Sequence, residues 1–322
     1  MSRLPLSLAL LAAAGLLAMG VSLALGSVPL SAAELWAVFT GDGEPLHRTL
    51  VMELRLPRTL AAFATGALLA VAGALMQVLL RNPLADPYVL GISGGAAVGA
   101  LLSMLAGLAT ALVSGAAFAG ALLSTLLVFG LAHGTGSWSP VRLLLTGVVV
   151  AAGWGALISF ILAVSPGAEL PGMLYWLMGD LSHARNPVMG WGVLVLVLLI
   201  AWPLGRHLNV LARGSLQAAA LGVSVRPLEW TVYLLAALLT ATAVTLAGTV
   251  GFVGLIVPHM LRLVLGNDQR IILPAAALAG GILLTLADTL ARTVIAPQQL
   301  PVGVITAMLG VPVFLYLLHR SR

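Results

Sequence analysis

Long stretches without charge recur along this chain, and they constrain its fold more than any motif does. Leu4–Gly26 holds no charged side chain, and between Asp86 and Arg142 only His133 could carry one. About 20 consecutive apolar residues cross a bilayer as a helix, and only helices and closed barrels satisfy their backbone there. A soluble fold could not hide so much apolar surface. Apolar residues make up 61% of the 322, charged residues 8%, and the mean hydropathy is +1.11. The sequence reads as an all-α polytopic membrane protein.

Charged and Pro- or Gly-rich breaks divide it into about ten spans. These are Leu4–Gly26, Thr59–Leu80, two within Tyr88–Ala132 turning near Gly107–Thr110, Leu143–Val164 and Val188–Gly205. Leu228–Thr249, Val250–Gly266, Ile271–Ala291 and Val302–Leu318 follow. The first apolar run exceeds a usual signal-peptide core, so it is expected to be a retained span. The eighth is expected to be irregular, because Pro258, His259 and Arg262 interrupt it. Gly91, Gly94, Gly95 and Gly99 would let the third span approach a neighbour closely. Two polar stretches, Ser27–Pro57 and Ser165–Pro187, lie outside the spans. Within the second, Met173–Leu181 reads as an aromatic interfacial helix.

All fifteen basic residues are arginine. Arg3, Arg81, Arg142, Arg206, Arg213, Arg226, Arg262, Arg270, Arg320 and Arg322 fall on the side shared with the termini. Arg48, Arg55, Arg58, Arg185 and Arg292 fall on the other. The positive-inside rule therefore places both termini in the cytoplasm. Without lysine the chain cannot build a Walker A phosphate loop, so any ATP that drives it must bind another subunit. Cysteine is absent, which removes disulfides and thiol chemistry. No His, Asp and Glu cluster has metal-ligand spacing, and neither a metal nor a nucleic acid is expected.

The cytoplasmic stretch 206–227 stands apart, with Arg206, Arg213 and Arg226 and no acid before Pro227. Its Ala-rich middle, Ser215–Leu221, reads as a short helix closed by Gly222, a surface suited to a soluble partner. On the outer side, Arg55, Arg58 and Arg292 suit a partner bearing carboxylates, the alternative being anchorage at lipid headgroups. Asp288 could be an ion site in a secondary carrier, or simply the partner of Arg292 one helical turn away, and the second is favoured. Gly91-Ile92-Ser93-Gly94 matches a GxSG pattern, so Ser93 with His259 would form the dyad of an intramembrane serine protease. Such a short match in a glycine-rich chain has little weight, and His259 beside Pro258 also fits a kinked helix start.

Several segments together resemble the FecCD-type permease family, whose members import cobalamin, haem and iron–siderophores. They are LRLPRTLAAF (54–63), NPLADP (82–87), LLLTGVVV (143–150), YWLMGDLS (175–182), FVGLIVPHMLR (252–262) and LADTLARTV (286–294). The resemblance covers most of the chain and implies a type II ABC importer permease, one domain over 1–322 with a coupling loop at 206–227. It implies a homodimer in the bacterial inner membrane, two ATP-binding cassette subunits below it and a periplasmic binding protein above. ATP and Mg would sit on the partner subunit, with no cofactor on this chain. Arg55 and Arg58 match the family's RLPR motif and Arg292 ends its LAD-x-x-AR pattern, which implies that all three dock the binding protein. The coupling pattern L-x-L-G-E-x-x-A-x-x-L-G is met by Leu211, Gly214, Ala218, Leu221 and Gly222, with Ala219 between them. Arg213 and Ser215 depart from it, Ser215 standing where the family has an acid. A pathway wide enough for a chelate would be lined by small residues, for which Gly147, Gly153, Gly155 and Ser159 are the candidates.

Overall fold

A computed structural model describes residues 3–132, 140–184 and 186–320. Arg185 and most of the loop expected at 133–142 lie outside the described residues. Every regular element among the described residues is helical. Six helical stretches are long and apolar enough to cross a bilayer. These are α1 (Arg3–Ala24), the rod Pro45–Leu79, α6 (Thr110–Ala132), α7 (Pro140–Val164), α12 (Val225–Ala247) and α14 (Gln269–Thr293). A seventh is α9 (Val188–Ala201), which bends by 72° into the short α10 (Gly205–Leu211). Three shorter apolar helices, α5 (Ile92–Leu105), α13 (Val253–Leu265) and α15 (Val302–Arg320), lie at the other expected positions, so the count of ten is met approximately.

The polar stretch 27–57 is more ordered than its composition suggests. It holds α2 (Ala32–Thr40), started by a capping box in which Ser31 and Glu34 satisfy each other's backbone N–H groups. Then α3 (Pro45–Thr49) runs through a π-helical turn at Leu50–Arg55 straight into α4 (Leu56–Leu79). That rod of 35 residues is roughly 50 Å long at 1.5 Å per residue. The apolar bilayer is about 30 Å thick, so the first turns stand at or beyond its outer face, Arg55 and Arg58 among them.

The centre of the fold is α4. Its run of alanines and glycines offers no face to solvent, and 94% of its most apolar stretch is buried against 17% for α7. A helix apolar all round belongs inside a bundle. Small side chains let α12, α13 and α14 surround it at close range. A Cβ on Gly73 would lie 1.8 Å from the Gly254 carbonyl oxygen, so α4 and α13 meet backbone to backbone. The glycines of the third span act as expected. Cβ atoms on Gly95 and Gly99 would lie 2.4 and 2.3 Å from carbonyl oxygens of α6.

Pro258 lies inside α13 and cannot donate to the Gly254 carbonyl one turn before it. Gln77 of α4 fills that gap. Its Nε2 donates to Gly254 O at 3.4 Å and Leu255 O at 3.1 Å, while its Oε1 accepts from Arg262. His259 therefore sits well inside α13 and not at a helix start. The aromatic helix expected at 173–181 is α8 (Leu170–Leu177), slightly earlier. Its C-terminal end is tied to the α12–α13 break by Asp180 N–H donating to Ala247 O at 2.8 Å and by Thr249 Oγ1 donating to Leu177 O.

Candidate functional site

Two charged regions stand at opposite ends of the bundle. At the outer end, α1, α4 and α14 converge on Asp288, which is fully buried. Arg58 donates to it from Nε (3.1 Å to each oxygen) and from Nη2 (2.8 Å), a forked grip in the geometry that guanidinium and carboxylate favour. Arg292 approaches the same carboxylate at 3.1 Å. Its Nη2 also donates to Ser22 Oγ at 2.9 Å, and Ser22 is paired with Thr59 Oγ1 at 2.8 Å. Asp288 thus has the Arg292 partner expected from spacing, and a second, Arg58, from 230 residues away. With two guanidiniums on it, the carboxylate is balanced as an ion pair rather than held open for a transported ion.

Arg55 is spent differently. Its guanidinium donates to the carbonyls of Leu23 (2.7 Å), Ala24 (3.2 Å) and Val28, closing the end of α1 and the turn after it. Arg55 and Arg292 are 6% and 7% exposed, so in this state no outside carboxylate reaches them. Arg58 stands nearer to solvent and also donates to Gln299 Oε1 at 2.7 Å. These arginines form one structural knot rather than three free charges. On the same side Arg48 is exposed, a cation the motif reading passed over.

At the inner end, the segment 206–227 is two helices rather than one loop. Leu208 and Leu211 of α10 are buried, which gives this half an apolar footing that the arginine count conceals. The second half, α11 (Ser215–Ala220), is flanked by Gly214 at φ +132° and Gly222 at φ +79°, values that side-chain-bearing residues rarely adopt. Ala218 faces inward, while Arg213, Ala219, Leu221 and Gly222 face solvent. Leu221 is 72% exposed and Leu216 87%. Leu216 was invisible to the motif, falling on one of its unspecified positions. Arg81 Nη1 donates to Ser215 Oγ at 3.4 Å, so an arginine from the α4–α5 link occupies the side chain that replaces the family's acid.

Of the small residues on α7, Gly153, Gly155 and Ser159 lie on its bare surface, and Ser159 Oγ donates to Gly155 O. Gly147 does not join them. It is buried, its carbonyl against the turn at Gly91, because that part of α7 packs on the start of α5. Beside α7 is a largely apolar cavity of about 360 Å³, lined by Tyr88, Ser93, Ile158, Leu177 and Thr249 among others. Ser93 opens into it, but no hydrogen bond joins Ser93 and His259 among the described residues, so the protease dyad is not assembled.

The comparisons with known proteins agree with this architecture. A model described as the FecCD transport family matches residues 11–320. The haemin transport permease HmuU of Yersinia pestis is 40% identical over 95% of this chain and 93% of its own. The vitamin B12 import permease BtuC of Vibrio cholerae shows the same identity and coverage. A transporter assigned to the metal-chelate ABC type, solved inward-facing, superposes with a TM-score of 0.87 at 29% identity, covering 98% of this chain and 99% of its own.

Proposed function

This chain belongs to the FecCD transport family, and from that premise we propose a working cycle for it as the permease of an ABC importer. The whole chain acts as one unit, paired with a second copy in the bacterial inner membrane. It carries a metal chelate inward, of the haem or cobalamin kind named for its relatives HmuU and BtuC. The pathway runs between the two copies, along the small-residue surface of α7 at Gly153, Gly155 and Ser159.

Power enters from below. The observation that carries this reading is α11, a hinged cytoplasmic helix presenting Leu216 and Leu221 to water between exposed arginines. Exposed leucines of this size, in a patch rimmed by charge, suit a groove on a soluble partner. With no lysine for a phosphate loop, the chain needs such a partner, and ATP and Mg would be held there. Nucleotide-driven closure of the paired ATPases pushes on α11 and switches the spans between outward and inward access. From above, a periplasmic binding protein docks on the rim organised by Arg55, Arg58 and Arg292. Arg58 is the member nearest solvent, and the exposed Arg48 adds charge on the same side. No step makes or breaks a covalent bond on this chain, and ligand recognition rests mainly with the binding protein.

The test is ATP hydrolysis in proteoliposomes holding this chain with the ATPase and binding protein encoded beside it. Cobalamin, haem and ferric siderophores are supplied in turn. One ligand should raise turnover, and only with its binding protein present. Failure of the chain to associate with any ATPase would overturn the reading.

A further inference from the structure

The two halves of the cytoplasmic segment are attached to the rest of the protein in unequal ways. Among the described residues α11 is held by buried Ala218, by packing on α10 and α12, and by one side-chain hydrogen bond from Arg81 to Ser215, with glycine joints at both ends. α10 is fastened. Asn209 Nδ2 donates to Asp268 Oδ1 at 2.9 Å, and Asn209 Oδ1 accepts from the Gln269 backbone N–H at 2.7 Å. Both ends of one amide thus grip the first turn of α14, where Asp268 is the N-terminal cap. Trp202, at the bend before α10, donates from Nε1 to Arg270 O at 3.0 Å. Gly205 lies so close that a Cβ there would sit 2.5 Å from Arg270 Cγ.

α14 runs from this clamp to the outer knot. It is 25 residues long, roughly 37 Å at 1.5 Å per residue. It carries Asp288 and Arg292 at its far end. Pro274 inside α14 cannot donate to the Arg270 carbonyl, the oxygen that Trp202 holds, and from there to Arg292 the close-packed helix moves as a body rather than bending at each contact. α14 is therefore pinned by polar contacts at both membrane faces, with the inner contact made to the half of the segment that does not hinge.

We infer that Asn209 is a positioning residue for transport, delivering the displacement of α11 through α10 to α14 and on to the outer arginine knot. This rests on the permease reading and adds to it the route by which the cytoplasmic and outer faces communicate. Asn209 touches neither the ATPase surface of Leu216 and Leu221 nor the pathway. Its loss should separate ATP hydrolysis from transport without preventing assembly.

The experiment measures ligand moved per ATP hydrolysed in proteoliposomes carrying the assembled complex. Asn209→Ala should lower that ratio about tenfold, within the roughly 5–150-fold range of coupling between distant sites. Asn209→Asp, which sets a carboxylate against Asp268, should lower it at least as far, and Asn209→Ser should fall between. Co-purification with the ATPase should be unchanged in all three. If Asn209→Ala does not fold, Trp202→Phe removes one contact from an exposed side chain and should reduce the ratio in the same direction. An unchanged ratio in the Asn209→Asp and Trp202→Phe complexes would overturn the assignment. An unaltered complex without ligand-dependent hydrolysis would instead overturn the permease reading itself.

Discussion

At the outer end of the bundle two arginines are packed away from water and a third is mostly covered, while at the inner end two leucines stand in it. The outer knot spends its charges internally, on Asp288 and on the carbonyls closing α1. The inner segment leaves Leu216 and Leu221 uncovered between glycine joints. Buried ion pairs are costly to disturb and hold geometry, whereas exposed apolar anchors await a partner. The difference teaches that the rule of polar outside and apolar inside can invert at the two ends of a membrane protein. On the proposed cycle one end keeps its shape and the other is pushed.

The largest effect should come from breaking the outer knot. Asp288→Asn strands two buried guanidiniums, and losing one partner of a buried pair costs about 3–5 kcal/mol. Thermal unfolding in detergent should show a large drop, while Asp288→Asn with both Arg58→Met and Arg292→Met should recover most of it. A small loss from Asp288→Asn alone would mean that water already reaches the cluster. Next comes Leu216→Glu, which should weaken ATPase binding by about 2 kcal/mol, the range of an interface hot spot, and leave the melting temperature unchanged. Pull-down with the ATPase reads this directly, and equal binding would remove α11 as the docking element.

Gly214→Ala should come third, because its φ of +132° is closed to alanine, at a cost above about 1 kcal/mol. Its mark should be slower transport more than lower stability, since α11 has few contacts to lose. Arg48→Glu should change the association rate of the binding protein only a few-fold, and less at high salt, as rim charges do. Stopped-flow binding at two salt concentrations decides it. The smallest effect concerns pH. Hydrogen bonds from Arg270 hold the Asp268 carboxyl well below its ordinary 3.8. A lowered folded-state pKa gives stability that is complete above the ordinary value and is lost only as pH falls beneath it, so coupling should be flat between about pH 5 and 8. A fall in coupling near pH 6 would mean that another group controls the inner clamp.

The spans were legible because charge and proline interrupt them where the bilayer ends, but the central place of α4 was not singled out, although its alanines and glycines carry that signal. The pairing of Asp288 with Arg292 followed from helical spacing. Its second pairing with Arg58 did not, since nothing local ties residues 230 positions apart. The burial of Arg55 was hidden for a related reason: its acceptors are main-chain carbonyls, which leave no signature in a sequence. α10 was read as loop because Arg206 and His207 mask the Leu208 and Leu211 face. Asn209 lacks a motif and gains meaning only once α14 begins beside it. Gly147 was grouped with its neighbours by residue type, while the rotation of α7 turns it inward.

The central claim, that force enters at a hinged inner helix and meets a fixed outer knot, is tested most directly by hydrogen–deuterium exchange of the reconstituted chain. Amides of residues 212–224 should exchange early and slow down when the ATPase binds. Those of 55–65 and 284–292 should stay protected in both states. Equal protection of the two regions, or an inner segment that the ATPase leaves unchanged, would contradict the account.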